Sequence, residues 1–189
     1  MDLNIYDAIN KIADAINENK EMLTNLDAAI GDADHGINMS RGFNAVREKL
    51  KRSENEDIPT VLKKVGMTLI STVGGASGPL YGTAFLRAAG VVQGNETITK
   101  EKVLDMFSAA IKGIKDRGKA VRGEKTMIDA LEPALEAFSK GVPGVTLNYG
   151  DAAAAAGKDF IVNTLVEMNE RILRFKNEKE YYQEMVLYL

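Results

Sequence analysis

The chain has 189 residues, 45% of them hydrophobic and 27% charged, with a formal charge of −3 and a pI near 5.4. That composition fits one globular domain over residues 1–189 and excludes a disordered, collagen-like or coiled-coil chain, while the acidic balance argues against a nucleic-acid partner, which needs a basic face to replace counterions. Cysteine is absent, which excludes disulfides, zinc fingers, iron–sulfur clusters and thiol nucleophiles and points to a cytoplasmic location. The first residues lack a basic stretch followed by an apolar run, and no window of about 18 apolar residues occurs, so neither an ordinary signal peptide nor a membrane span is expected.

Ile5, Ile9, Ile12 and Ile16 form one helical face. A second pattern runs through Phe43, Val46 and Leu50, and a third, opened by Pro59-Thr60, through Val61, Leu62, Val65, Leu69 and Ile70. Pro79 sits where a helix starts before Leu80, Phe85 and Leu86; Thr99 is placed to cap the stripe Val103, Met106, Phe107, Ala110, Ile111 and Ile114, which Gly118 ends. Thr126 is placed to cap a further helix through Ile128, Leu131, Leu135 and Phe138, with Pro133 as a kink. After the loop Gly141-Val142-Pro143-Gly144, the alanine-rich tract from Asp151 to Gly157 leads into another helical face at Phe160, Ile161, Leu165 and Met168. No stretch alternates as a half-buried strand does. The expectation is an all-α antiparallel barrel or bundle of seven or eight helices.

Three segments carry chemistry. Between the first two helical patterns, Leu26 to Met39 holds Asp27, Asp32 and Asp34 within eight positions. Clustered carboxylates repel unless water or a cation separates them, and a short cluster suits Mg²⁺, which completes its octahedron with water and phosphate oxygens. A solvated acidic loop, with Asp34 or Asn38 capping a helix, is the plain alternative. The calcium-hand spacing of glycine and terminal glutamate is missing. His35, the single histidine, stands beside this cluster, where a hydrogen bond to phosphate or to a metal-bound carboxylate suits it better than a nucleophilic role.

Gly74-Gly75-Ala76-Ser77-Gly78-Pro79 opens a helix, leaving backbone N–H groups where the helix dipole favours an anion, though a tight turn with close helix approach would use the same residues. No Gly-Lys-Ser/Thr follows and no strand precedes it, so it is neither a Walker loop nor a dinucleotide fingerprint. The third segment, Arg117 to Met127, places four cations within nine positions. Such a loop is usually solvated; beside a phosphate site it supplies counter-charge, and Met127 offers a polarizable face to a purine.

In this order the three segments resemble the ADP-binding L subunits of phosphotransferase-system-dependent dihydroxyacetone kinases and the nucleotide domain of the ATP-dependent ones. The resemblance rests on Leu26-Asp27, Ile30 to Met39 and Arg41-Gly42, on Gly66 to Leu69 and Val73 to Gly82, and on Arg117 to Ala120 and Gly123 to Met127. It implies an eight-helix antiparallel barrel with ADP or ATP bound at one end. By the same resemblance Asp27, Asp32 and Asp34 hold two Mg²⁺ ions; His35, Gly36, Ile37, Asn38, Ala76 and Ser77 surround the phosphates; and Gly118 and Met127 lie by the adenosine. In that family the nucleotide stays bound as a coenzyme. It takes a phosphoryl group from a phosphohistidine donor subunit and passes it to dihydroxyacetone on a separate K subunit, with no side-chain nucleophile from the L subunit. A homodimer is left open.

Two departures stand out. Ala33 occupies a position where the family commonly has glycine. From about residue 166 the chain lacks the family's Gly-Arg-Ala-Ser-Tyr-Leu-Gly and Asp-Pro-Gly lid, reading instead Met168 to Leu189 without glycine or proline. A diverged relative, a frameshift or a helix replacing the lid would each read so. Loss of the lid implies looser nucleotide binding, and the alternative to a working kinase subunit is a non-catalytic nucleotide-binding or regulatory paralogue. A kinase using ATP directly on another small hydroxylated compound is a second alternative. The apolar tail, Tyr181 to Leu189, is expected to pack on the barrel rather than on a partner.

Overall fold

The computed structural model describes residues 4–28, 31–52, 56–92 and 98–140. Helical starts are set locally. Asn4 accepts from the amides of Tyr6 and Asp7 to open α1 (Ile5–Glu18), Asp57 accepts from Thr60 to open α4 (Ile58–Thr72), and Thr99 accepts from Lys102 to open α6 (Lys100–Gly118). The other described helices are α2 (Lys20–Asp27), α3 (His35–Leu50), α5 (Ser77–Val91) and α7 (Ile128–Lys140), and no strand occurs among the described residues. Ile128 N–H donates to Thr126 Oγ1 at 3.2 Å, so Thr126 caps α7 as its position suggests, and Pro133 lies inside that helix.

The pairs α1–α3, α4–α5 and α5–α6 run antiparallel. On α1 and α3, Ser40 donates to Asn17 Oδ1 at 2.6 Å, while Arg47, further along α3, donates to the Asn10 carbonyl at 2.7 Å and pairs with Asp14. On α4 and α5, a Cβ built on Gly82 would come 2.6 Å from the Gly66 carbonyl, so this pair of glycines sets how near the two helices lie. Gly113 of α6 faces Thr83 and Arg87 of α5, and Gly118 faces Leu80, the same sense again.

The apolar faces make two clusters. Ile5, Ile9, Ala13 and Ile16 of α1 join Met39, Phe43, Val46 and Leu50 of α3 and Val61, Leu62, Val65 and Leu69 of α4, with Phe85 meeting Phe43 edge-on at 6.4 Å between centroids. Ile111, Ile114 and Ile128 make a second cluster joined by Leu80, Met127 and Leu131. Helix α5 therefore serves both, Tyr81 and Phe85 on one side and Leu80 and Ala84 on the other.

The sequence reading differs from the fold in two places. It gives no separate helix at Lys20–Asp27, because an eight-residue helix with Leu23 as its single buried side chain is too short to display a period. It also treats Leu26 to Met39 as one connecting segment, whereas α2 runs to Asp27 and α3 begins at His35, leaving residues 28–34 as the connection. The loop at Gly141, the alanine-rich tract, the face from Phe160 to Met168 and the C-terminal tail lie outside the described residues.

Candidate functional site

Asp27 ends α2 and turns its carboxylate across the connection: Oδ2 accepts from the backbone amides of Asp34 at 2.9 Å and His35 at 3.1 Å. It thus caps α3 from outside, since Asp34, the residue at the cap position, makes no side-chain cap of its own. The turn needed to bring the chain round places Ala33 at φ 62°, a left-handed conformation that glycine adopts freely and alanine does not. The result is that Asp27, Asp32 and Asp34 each present a ligand atom with all three atoms within 4.8 Å of one another. Asp32 is exposed and Asp27 half-buried.

The geometry fits a hard cation in two respects. Three carboxylates at this spacing leave repulsion that a divalent ion relieves, and oxygen-only donors suit Mg²⁺. In addition, a Cβ at Gly31 would stand 2.3 Å from Asp27 Oδ1, so the absence of a side chain there keeps space beside that oxygen.

The second segment meets the first directly. Ser77 Oγ lies 3.2 Å from His35 Nδ1, and the Gly74 backbone packs on the Asn38 amide. Gly75, at φ 63°, makes the turn that starts α5, whose cap position is Ala76 and carries no side-chain cap. The N-termini of α3 and α5 are therefore joined at the acidic cluster, and their dipoles oppose its charge. Burial holds the His35 imidazole below its ordinary pKa, outweighing the pull of Asp27 and Asp34 in the other direction, so the ring is neutral at neutral pH.

Residues from the expected set play unequal parts. Gly36 is buried against α2, where a Cβ would fall 2.0 Å from the Lys20 carbonyl, so its small size also serves helix packing. Ile37 is 45% exposed in the first turn of α3. Asn38 is buried and donates Nδ2 to Asp34 Oδ2. Gly118 and Met127 approach the start of α5 through Leu80, which a Cβ on Gly118 would meet at 3.2 Å and which shares its cluster with Met127. The basic loop between α6 and α7 is shaped by Asp129, which accepts from Gly123 at 2.6 Å and Thr126 at 3.0 Å, and Arg122 is taken by Glu136 at 2.7 Å. Arg41, which the sequence reading quotes within the resemblance without a role, donates to the Thr72 carbonyl, which that reading does not single out. The spacing 34, 38, 41 puts Asp34, Asn38 and Arg41 along one helical row, a signal visible once α3 is known to start at His35.

Among known proteins, residues 29–170 match the family model described as DAK2 domain. The chain is 48% identical over 151 residues to the ADP-binding subunit DhaL of PEP-dependent dihydroxyacetone kinase 1 of Listeria innocua, covering 80% of this chain and 75% of that one. It is 47% identical over 134 residues to the ADP-binding subunit DhaL of the PEP-dependent dihydroxyacetone kinase of Escherichia coli, covering 71% of this chain and 64% of that one. Among solved structures it is similar to the native dihydroxyacetone kinase of C. freundii, with a TM-score of 0.63 and 25% identity over 82% of this chain and 28% of that one.

Proposed function

The chain belongs to the DAK2 domain family, and on that premise we propose that it is the ADP- and Mg²⁺-binding subunit of a multi-component dihydroxyacetone kinase. In this reading it relays a phosphoryl group from a phosphohistidine donor subunit of the phosphotransferase system, through bound ADP/ATP, to dihydroxyacetone held by a separate K subunit. The observation that carries it is the convergence of three carboxylates within 4.8 Å on two joined helix N-termini that lack side-chain caps of their own. The names of the relatives in Listeria and Escherichia, both ADP-binding subunits of such kinases, supply the reaction class.

Asp27, Asp32 and Asp34 would hold the metal; the magnesium nucleotide, when bound, supplies the phosphoryl group in transit and the positive charge that offsets its oxygens. The protein's part is positioning. The first-turn amides of α3 and α5, with Gly36, Ile37 and Asn38 on one side and Ala76 and Ser77 on the other, orient an anion by donors already in place, which costs no reorganisation at the moment of transfer. His35, hydrogen-bonded to Ser77, brings a ring nitrogen to the phosphates. Gly118 and Met127, behind Leu80, would line the adenosine end. No side chain of this subunit acts as nucleophile.

Asp32→Ala tests the reading cleanly, because Asp32 is exposed and its loss leaves the capping by Asp27 in place. Calorimetry should find Mg²⁺-dependent ADP binding abolished with helicity unchanged by circular dichroism. Unaltered binding would reduce the cluster to a solvated loop. The departure of the sequence from the family pattern after about residue 166, near where the family match ends at residue 170, supports a second reading, a nucleotide-binding paralogue with impaired transfer. Turnover reconstituted with donor and K subunits separates the two: phosphoryl relay supports the kinase subunit, and binding without relay supports the paralogue.

A further inference from the structure

Arg41 bridges the two loops of the site without belonging to either. Its Nη2 donates to Asn38 Oδ1 at 2.6 Å and its Nε to the Thr72 carbonyl at 3.1 Å, at the C-terminal end of α4 just before the glycine turn. Asn38, 7% exposed, in turn donates Nδ2 to Asp34 Oδ2 at 2.5 Å.

A primary amide has two ends of nearly equal shape and opposite function. With the ends exchanged, the Asn38 carbonyl would face the Asp34 carboxylate, acceptor against acceptor. A guanidinium has donors only, so Arg41 accepts a single orientation of that amide, carbonyl toward itself and NH₂ toward Asp34. Its second bond anchors the same guanidinium to the backbone that leads into Gly74 and Gly75. The Asn38 side chain therefore cannot turn without losing its bonds to both Asp34 and Arg41.

Resting on the proposed Mg²⁺–ADP reading, we propose that Arg41, itself anchored on the Thr72 carbonyl, is a positioning residue for the carboxylate cluster, fixing the Asn38 amide so that it aims Asp34. Arg41 acts through Asn38, not on the nucleotide. Partners of this outer kind change metal affinity by about 10–100-fold when removed.

The test uses the full chain with Mg²⁺ alone and with Mg²⁺ plus ADP, by calorimetry, together with NMR of the Asn38 side-chain NH₂ in Mg²⁺-free protein. In the unmutated chain the NH₂ protons should exchange slowly with solvent; a pair exchanging as fast as an exposed amide would overturn the proposal whether or not any variant folds. Arg41→Met should weaken Mg²⁺ binding by about tenfold or more and abolish that NH₂ signature. In an Asn38→Ala background the same substitution should add nothing. Equal Mg²⁺ affinity in Arg41→Met, or the same loss in both backgrounds, would overturn it. Arg41→Lys keeps the charge but not the planar fork and should remain several-fold weak; full recovery by lysine would assign the effect to charge and also overturn the proposal. If the unmutated chain takes up neither Mg²⁺ nor Mg²⁺–ADP, the functional reading fails, while the NH₂ signature still decides the orientation on its own.

Discussion

The two ends of the helical bundle begin their helices differently. At one end α1, α4 and α6 are each opened by the side chain at their own cap position, Asn4, Asp57 and Thr99. At the other, the cap positions of α3 and α5 are Asp34 and Ala76, neither capped by its own side chain, while α7, which also starts there, is capped by Thr126. The backbone follows the same division: among the described residues every positive φ, at Ala33, Gly75, Lys119, Gly123 and Lys125, lies in the connections at the second end. Local rules that stabilise a helix are satisfied where the chain only needs to fold. Where they are set aside, donors and carboxylates are left facing one another, which is the condition for holding an anion with a cation.

The sharpest way to break this comparison is to remove Asp27, because one carboxylate serves both needs at the second end. Asp27→Ala deletes the acceptor of the Asp34 and His35 amides and one of the three clustered ligands. Urea unfolding should show a loss of about 2 kcal/mol, and calorimetry should show no Mg²⁺-dependent ADP binding. Asp27→Asn, which keeps an acceptor oxygen but not the charge, should recover most of the stability and little of the binding. Equal stability in all three proteins would mean that α3 needs no cap from α2.

The opposite manipulation makes the second end resemble the first. Ala76→Asp places a carboxylate at the start of α5, where residue 76 is at helical φ −70° and ψ −28° and Pro79 has no N–H. Only the Gly78 amide is left to cap, so stability should change by less than about 0.5 kcal/mol. The new carboxylate competes for the same amides and adds negative charge beside the site. Affinity for Mg²⁺–ADP should therefore fall roughly tenfold, about 1.4 kcal/mol. A variant that keeps its affinity would show that the free amides of α5 are not used by the nucleotide.

What could be read beforehand follows the same division. The faces through Ile5, Ile9 and Ile16, the cap at Thr99 and the stop at Gly118 are local and periodic, and they stand as read. The cluster of Asp27, Asp32 and Asp34 was legible as composition, and its closeness depends on a turn that composition does not specify. Hidden were the facts that depend on contacts across the chain. Asp27 caps a helix that begins eight residues later, Gly36 packs closely against α2, and Arg41 joins α3 to the end of α4. At α4 two start signals overlap: Asp57 is the cap, and Pro59-Thr60, read as the opening, already lies in the first turn.

The smallest expected effect concerns the strain stored in the turn that aims the cluster. Ala33 at φ 62° carries a Cβ that the left-handed conformation disfavours by about 1–2 kcal/mol, while glycine would lose more backbone entropy on folding by about 0.5–1 kcal/mol. Ala33→Gly should accordingly raise stability by about 0.5–1 kcal/mol, read from the urea midpoint at constant slope. Because the native turn is unchanged, Mg²⁺–ADP affinity should stay within twofold. A gain in stability with unchanged affinity means that alanine only strains the turn. If affinity rises with stability instead, the methyl group holds Asp32 and Asp34 off their best separation, and the strain at this end is a cost to function as well as to folding.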